Sequence, residues 1–424
     1  MINRQKIKDR FAKRQKTKMH YWTMAFLSIV LCPLSIVLTS CEPRNMNSTA
    51  RLTVVLHTDG IQTISNIVVK AHDINMNQDF TDSTLTVTLP LGYYDLSVSA
   101  LGDGQPIRAY MRGLAVTQDC TIDLYPDFVT TGEGDFVLAE IFFAGTETPE
   151  GKRYIGDKYF VILNNAADTL SADGLILLEA DLNSVQKYDL GDHDFRDKYF
   201  AVDAMYRVPG DGNTYRVAPG HALLIADNAM DHTQANINSF DLTLADFEWY
   251  DVSSSAGATD VDNPDVTNLD KLYCYTQTIW VPHNQGHKSF GLARFPEGVT
   301  AEQYFATDSL YVNYDYEIVT AAGTFSQSRK SYMIPNGWMV DGVNLAPSET
   351  FQWLTMSDKI DAGYTYVAPT GSDVTRFGKA VRRKTKAILN GRRLLQDTNN
   401  STDDFEPAVP ADPTYFKQIV DSME

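Results

Sequence analysis

From residue 50 to 125 the chain alternates apolar and polar residues at every second position, in runs such as "RLTVVLHT", "NIVVKAHD", "STLTVTLP", "GYYDLSVSAL" and "CTIDLY". Only an extended strand places alternate side chains on one face, so these runs commit the backbone to sheet. Asp59-Gly60, Pro90-Leu91-Gly92 and Gly102-Asp103-Gly104 separate them with turns. After Gly134 the strand signal continues in longer units, among them "DFVLAEIFFAG", "DKYFVILNNAADTLSADGLILLEA", "APGHALLIADNA", "KSFGLARF" and "YMIPNGWMVDGV". Helical periodicity is scarce. Asp241–Tyr250 allows a turn or two. Asp412 as N-cap and Pro413 at the first helical position predict a short C-terminal helix, with Tyr415, Phe416, Ile419 and Val420 on one face. The expectation is an all-β chain: a small β-sandwich over 50–125, a Pro- and Gly-bearing linker over 126–135, and a larger β-sandwich with long loops over 136–424.

The first 40 residues read as a targeting segment rather than structure. Residues 4–18 hold eight Lys or Arg and one Asp, and an apolar run from Met24 to Leu38 follows. That run is too short for a good membrane-spanning helix and suits a signal-peptide core. It ends in Leu38-Thr39-Ser40-Cys41, which resembles a lipobox. Cys41 is therefore the candidate lipidation site and the mature N-terminus, with 41–49 as a linker. At roughly 0.8 kcal/mol per buried CH₂, two or three acyl chains hold such a chain on a membrane.

Removing residues 1–40 takes eight of the 36 basic and one of the 54 acidic residues, leaving 28 against 53 and a net charge of −25. So acidic a surface excludes nucleic acid as a partner, because that affinity rests on neutralising phosphates. Of the four cysteines, Cys32 leaves with the signal segment and Cys41 carries lipid. Cys120 and Cys274 remain. Two readings stay open for them: a disulfide in an oxidising compartment, or small buried apolar residues.

Three resemblances follow from particular residues. "TLPLGYYDLSVSA" resembles the Leu-Pro-x-Gly-x-Tyr-x-Leu-x-Val pattern of carboxypeptidase-regulatory-like, transthyretin-type (Ig-like) sandwiches, in which the Tyr packs inward. "LAEIFFAG" followed by "DKYFVILNNAADTLSADGLILLEA" is similar to the start of lamin-tail-type domains. Glu140 lies in the first strand, while Val161 stands where that pattern usually has Glu. The segments Ile334–Val343, Asp361–Val367, Val381–Lys384 and Leu394–Phe405 resemble a family of uncharacterised outer-membrane lipoproteins of Gram-negative bacteria, a domain of unknown function. That resemblance implies an outer-membrane location, on an undetermined face, near TonB-dependent receptors.

Several constellations carry oxygen or nitrogen donors. "GRRLLQDTNNSTDDFEP" gathers Asp397, Asp403, Asp404 and Glu406 with amides and hydroxyls. Calcium loops use such oxygens at alternating positions, but with a Gly that is missing between Leu394 and Glu406. A capped turn docking Phe405 into the sandwich is the stronger expectation. Asp189, Asp192, Asp194, Asp197 and Asp203 form a second acidic cluster, and Asp260, Asp262, Asp265 and Asp270 a third. Both are expected as solvated loops. No cofactor is expected beyond a structural calcium. His283 and His287 have zinc-helix spacing inside an irregular loop, with no base where a metalloprotease needs one. The basic group Lys379, Arg382, Arg383, Lys384, Lys386, Arg392 and Arg393 is expected to pair with Asp397, Asp403 and Asp404. Trp249, Trp280, Trp338 and Trp353 suit either a sugar platform or the core, and dispersion favours the core.

No nucleophile elbow, phosphate loop or zinc-protease signature is present. The expected function is a lipid-anchored accessory or binding protein of the cell envelope, not an enzyme, serving a TonB-dependent β-barrel receptor. The alternatives are a glycan-active hydrolase using an acid pair from the Asp-rich loops, or a structural surface or adhesion lipoprotein.

Overall fold

The computed structural model describes residues 48–417, apart from 59, 72–75, 81–82, 129–133, 187, 192–193, 254, 256, 258, 277 and 321–322. Cys41 and the segment before it lie outside the described residues. What is described is all-β with several sheets and little helix.

The alternating residues of 49–124 close over one core. A three-stranded sheet runs in the order Thr84–Pro90, Thr49–Leu56, Cys120–Leu124, and a five-stranded sheet in the order Met76–Phe80, Ile64–Ala71, Gly92–Gly102, Gln105–Val116, Asp127–Phe128. The inward positions Leu52, Val54, Leu85 and Val87 of the first sheet meet Ile67, Val69, Leu96 and Val98 of the second in a single buried cluster. Thr84–Pro90 shows the period directly, exposed and buried positions alternating from Thr84 to Leu89. Tyr94 is fully buried and its hydroxyl donates to the carbonyl of Pro90 at 2.5 Å, which pins the turn to the strand that follows it.

The rest of the chain builds a second, larger pair of sheets. One has seven strands in the order Thr267–Asn268, Phe247–Glu248, Ala222–Ala226, Tyr159–Asn164, Phe136–Phe142, Lys379–Arg383, Phe405–Pro410. The other runs Tyr188–Asp189, Tyr311–Thr320, Gly323–Pro335, Tyr199–Arg207, Ile176–Ala180, Phe290–Ala293, Met339–Val343, with Asp270–Cys274 also pairing Tyr199–Arg207. Leu138, Phe160, Ile225 and Val381 from the first sheet pack against Leu177, Tyr206, Phe290 and Leu292 from the second. Phe136–Phe142 and Tyr159–Asn164 are buried at every position, because both of their faces are covered. That is why these two runs read as continuous apolar stretches rather than alternations.

Two expectations change here. Beyond Asp412 the chain forms hydrogen-bonded turns over residues 413–417 instead of a helix, and 418–424 lie outside the described residues. Asp412 still caps, accepting from the amide of Thr414 at 2.9 Å. The geometry follows the aromatic side chains. Tyr415 is held under the guanidinium of Arg382 at 4.0 Å and that of Arg393 at 4.6 Å, and Phe416 is buried. Second, Cys120 and Cys274 are free and belong to different sandwiches, which removes the disulfide reading.

Candidate functional site

Arg383 sits at the centre of the first constellation. It occupies the strand Lys379–Arg383, and alternation turns its side chain inward, where it is 3 % exposed. A buried guanidinium needs its five donors satisfied. Two bonds go to Asp341, at 2.7 and 2.9 Å. Others go to Asp397 at 3.1 Å and to the carbonyl of Leu138 at 2.9 Å, with Asp404 3.7 Å away. These carboxylates hold the guanidinium charged against the cost of burial. The Phe405 ring lies 4.7 Å beneath it.

Around this ion cluster the loop after Leu395 is wound by its own side chains. Asp404 accepts from the amide and hydroxyl of Thr398, both at 2.8 Å, and Asn400 caps the turn Ser401–Asp404. Asp361 reaches in from another segment and accepts from the Ser401 amide at 2.7 Å and hydroxyl at 2.6 Å, and from the Asn344 amide at 2.6 Å. Burial pushes its carboxyl up to about 6. Gly363 lies so close that a Cβ there would sit 2.7 Å from the Thr402 nitrogen, which explains a glycine at this position. The four segments Ile334–Val343, Asp361–Val367, Val381–Lys384 and Leu394–Phe405 thus converge on one buried cluster, as the expected pairing of the basic strand with Asp397 and Asp404 required.

The same loop fastens the small sandwich to the large one. Arg108 donates to the carbonyls of Thr398 at 2.7 Å and Asn399 at 2.8 Å, and Lys70 bonds Asp403 at 2.8 and 2.9 Å. Asn399 takes a positive φ of 52°, which an Asn tolerates and which points both carbonyls outward. Two charge-assisted bonds to backbone oxygens are worth about 3–6 kcal/mol together. Arg108→Ala is therefore expected to leave each sandwich folded but let the two swing apart. A broadened distance distribution between spin labels on the two sandwiches checks this, and a distribution identical to the parent's counts against it.

The second constellation lies at the opposite sheet. The hairpin Tyr311–Thr320 and Gly323–Pro335 is paired over its full length, yet only Tyr332 to Pro335 bond the adjoining strand Tyr199–Arg207. The first strand also pairs at Glu317 and Ile318 with Tyr188–Asp189, while the second forms an exposed edge, the arm, open to solvent at every residue from Gly323 to Ser328. Its root is ionic. Arg329 contacts Asp181 and lies 3.2 Å from Asp203, while Tyr314 donates to Asp181 at 2.7 Å and Ser331 also bonds Asp181. Lys288 contacts Asp203 from the other side. Beside the arm is an open groove of about 590 Å³ lined by Asp189, Asp315, Tyr316, Glu317, Ser326, Gln327 and Ser328. Asp315 and Glu317 share a face because they are two apart on a strand, and Asp189 pairs with Glu317 in register.

The other sequence candidates are placed as follows. Among the described residues no three His, Cys, Asp or Glu side chains group as a metal site. His283 and His287 lie with ring centroids 4.8 Å apart. Burial pulls His283 down to about 4. A histidine whose folded value lies below its unfolded one stabilises the fold above pH 6.5 and loses that contribution as pH falls toward 4. The stability difference between the parent and His283→Asn is thus expected to shift by about 1–2 kcal/mol in favour of the variant between pH 7 and 5. Urea titrations at both values check it.

Of the acidic clusters expected as solvated loops, Asp189, Asp194, Asp197, Asp262 and Asp265 are exposed, while others are tied down. Asp203 lies in a strand and is buried, the exposed Asp194 still bonds Arg196, Asp270 bonds Arg207 at 2.7 Å, and Asp260 accepts the Asp251 amide at 2.9 Å. Trp249, Trp280 and Trp353 are buried and Trp338 half-buried, so they form no surface platform. Glu140 is buried and bonds Arg382 at 2.5 Å and Tyr159 at 2.6 Å, while Val161 lies opposite it in register. Sequence reading missed the inward Lys158, Glu179 and Asp251. Each lies inside or beside an apolar run, which gives no warning of a charged interior position.

The fold and these clusters define a class: an all-β protein of two packed sheet pairs, with an ionic seam and a projecting arm. Residues 218–412 match the sequence profile of a family described as "Protein of unknown function (DUF4876)". All four converging segments fall inside the match. A crystal structure of a DUF4876 family protein from Bacteroides thetaiotaomicron is similar in fold, with 20% identity, a TM-score of 0.53, and coverage of 86% of this chain and 97% of that one. No curated protein matches the chain.

Proposed function

We propose that this protein is a lipid-anchored binding or accessory protein of the outer membrane, serving a TonB-dependent uptake system. The acyl chains on Cys41 confine it to a surface and raise its effective concentration at a β-barrel receptor. The observation that carries the reading is the arm. A hairpin edge exposed on six successive residues, with a groove of mixed polarity beside it and a buried ionic root, is a surface built for contact rather than for closing a core. In the same reading residues 50–125 form a transthyretin-like (Ig-like) spacer, supported by the inward Tyr94, and residues 136–424 a lamin-tail-like domain.

Cys41→Ser is expected to abolish fatty-acid labelling and move the protein from the membrane pellet to the soluble fraction. Unchanged labelling and pelleting would remove the tether. For the contact itself, detergent-extracted protein is expected to co-purify with a barrel receptor, and a variant with the arm shortened to a tight turn is expected not to. Turnover of glycans by the soluble chain, lost on Glu317→Gln, would replace this reading with the hydrolase.

A further inference from the structure

We propose that Lys288 and Asp203 condense into an intramolecular amide, a covalent cross-link across the sheet at the root of the arm. The two side chains are in direct contact, and they are only 13 % and 3 % exposed. They come from segments that do not pair with each other. Asp203 lies in Tyr199–Arg207 and Lys288 just precedes Phe290–Ala293, with Ile176–Ala180 between them in the sheet. The register explains the meeting. Glu179 faces Ala204 while Ala180 faces Val202, so Asp203 is the extra residue of a β-bulge, a device that re-aims a side chain.

The surroundings supply what the condensation needs. An ion pair taken out of water carries a large desolvation cost, and joining the two groups as a neutral amide relieves it. Burial draws the Lys288 ammonium below its ordinary range, toward the free amine that attacks. Arg329 lies 3.2 Å from Asp203 Oδ1, where negative charge collects when the amine adds to the carboxyl carbon. Glu179 is buried on the intervening strand and burial raises its carboxyl toward the protonated form, with Lys288 acting against that rise. It is fixed by the indole of Trp280 and the amide of His283, both at 2.7 Å. The balance is simple. The neutral amine of Lys288 and the protonated carboxyl of Asp203 form one C–N bond, the C–Oδ2 bond breaks, and one water leaves. Glu179 relays the proton from the nitrogen to the departing oxygen and ends as it began. Ser331, Tyr314 and Asp181 complete the polar surroundings of Arg329. A bond here laces three strands at the point where pull on the arm would enter the sheet.

Tryptic peptide mapping of the full chain by mass spectrometry tests this. The parent is expected to yield one branched peptide containing both residues, lighter than the two together by a water and uncleaved after Lys288, in nearly all molecules. Lys288→Arg, which keeps the charge, is expected to give two linear peptides of sequence mass. Glu179→Gln is expected to lower the linked fraction severalfold, and an unchanged fraction would remove Glu179 from the relay. Separate, unmodified Asp203 and Lys288 peptides from the parent overturn the proposal, whether or not the variants fold.

Discussion

Arg383→Met is expected to cost about 3–5 kcal/mol of folding stability, enough to leave much of the chain unfolded at physiological temperature. Methionine matches the stem of the side chain, so packing against Phe405 largely survives. What is lost is the cation. Asp341 and Asp397 remain 6 % and 2 % exposed with no positive partner, and Asp404 loses its nearest one. Removing one side of a buried pair exacts the desolvation cost of the other, far more than the pair contributed. The pH dependence has a definite sign. Burial already raises the Asp341 and Asp404 carboxyls and Arg383 holds them down, so without Arg383 they rise further above their unfolded values, and the folded variant binds protons more readily than its unfolded chain. Stability then improves as pH falls through the raised values. The deficit is expected to be larger at pH 7.5 than at pH 5.5, measured by urea unfolding at both. An equal deficit at the two values would mean that the carboxyls are not the source.

Arg329→Met is the second large effect, at about 3 kcal/mol, because Asp181 is wholly buried and Arg329 is its only ion-pair partner among the described residues. Its consequence is local as well as global. Tyr314 and Ser331 share an acceptor, Asp181, that then has lost its counter-charge, so the root of the arm loosens. Hydrogen exchange is expected to quicken in residues 311–335 well before it does in the fully buried strands Phe136–Phe142 and Tyr159–Asn164. Uniform acceleration over both would show that the arm is not independently rooted. If the groove beside it is the contact surface, binding falls with the same variant while membrane pelleting does not change.

The two predictions divide the chain as its sequence divides. Strand content was legible, because a pleated backbone forces a period of two and the runs around Leu52, Leu85 and Val98 keep it. The docking of Phe405 and the pairing of Arg383 with Asp397 were legible too, since a basic strand and an acidic turn lie within fifteen residues of each other and within reach of one turn of chain. Less was visible of the C-terminus. Its capping residues are those of a helix, yet Tyr415 and Phe416 obtain more from two arginines and the core than from a further helical turn.

The sequence by itself determined the all-β class, the charge of the chain and the identity of the seam loop. Each of these rests on local order: period, composition, or residues adjacent in the chain. Only the tertiary structure decided that Asp341, Asp361 and Arg383 meet, that Arg108 grips a loop some 290 residues away, and that Lys288 touches Asp203 across an intervening strand. Those partners are set by strand order and by one bulge. Strand order depends on which apolar faces cover one another, a property that belongs to the folded sheets and leaves no mark in the neighbourhood of any single residue.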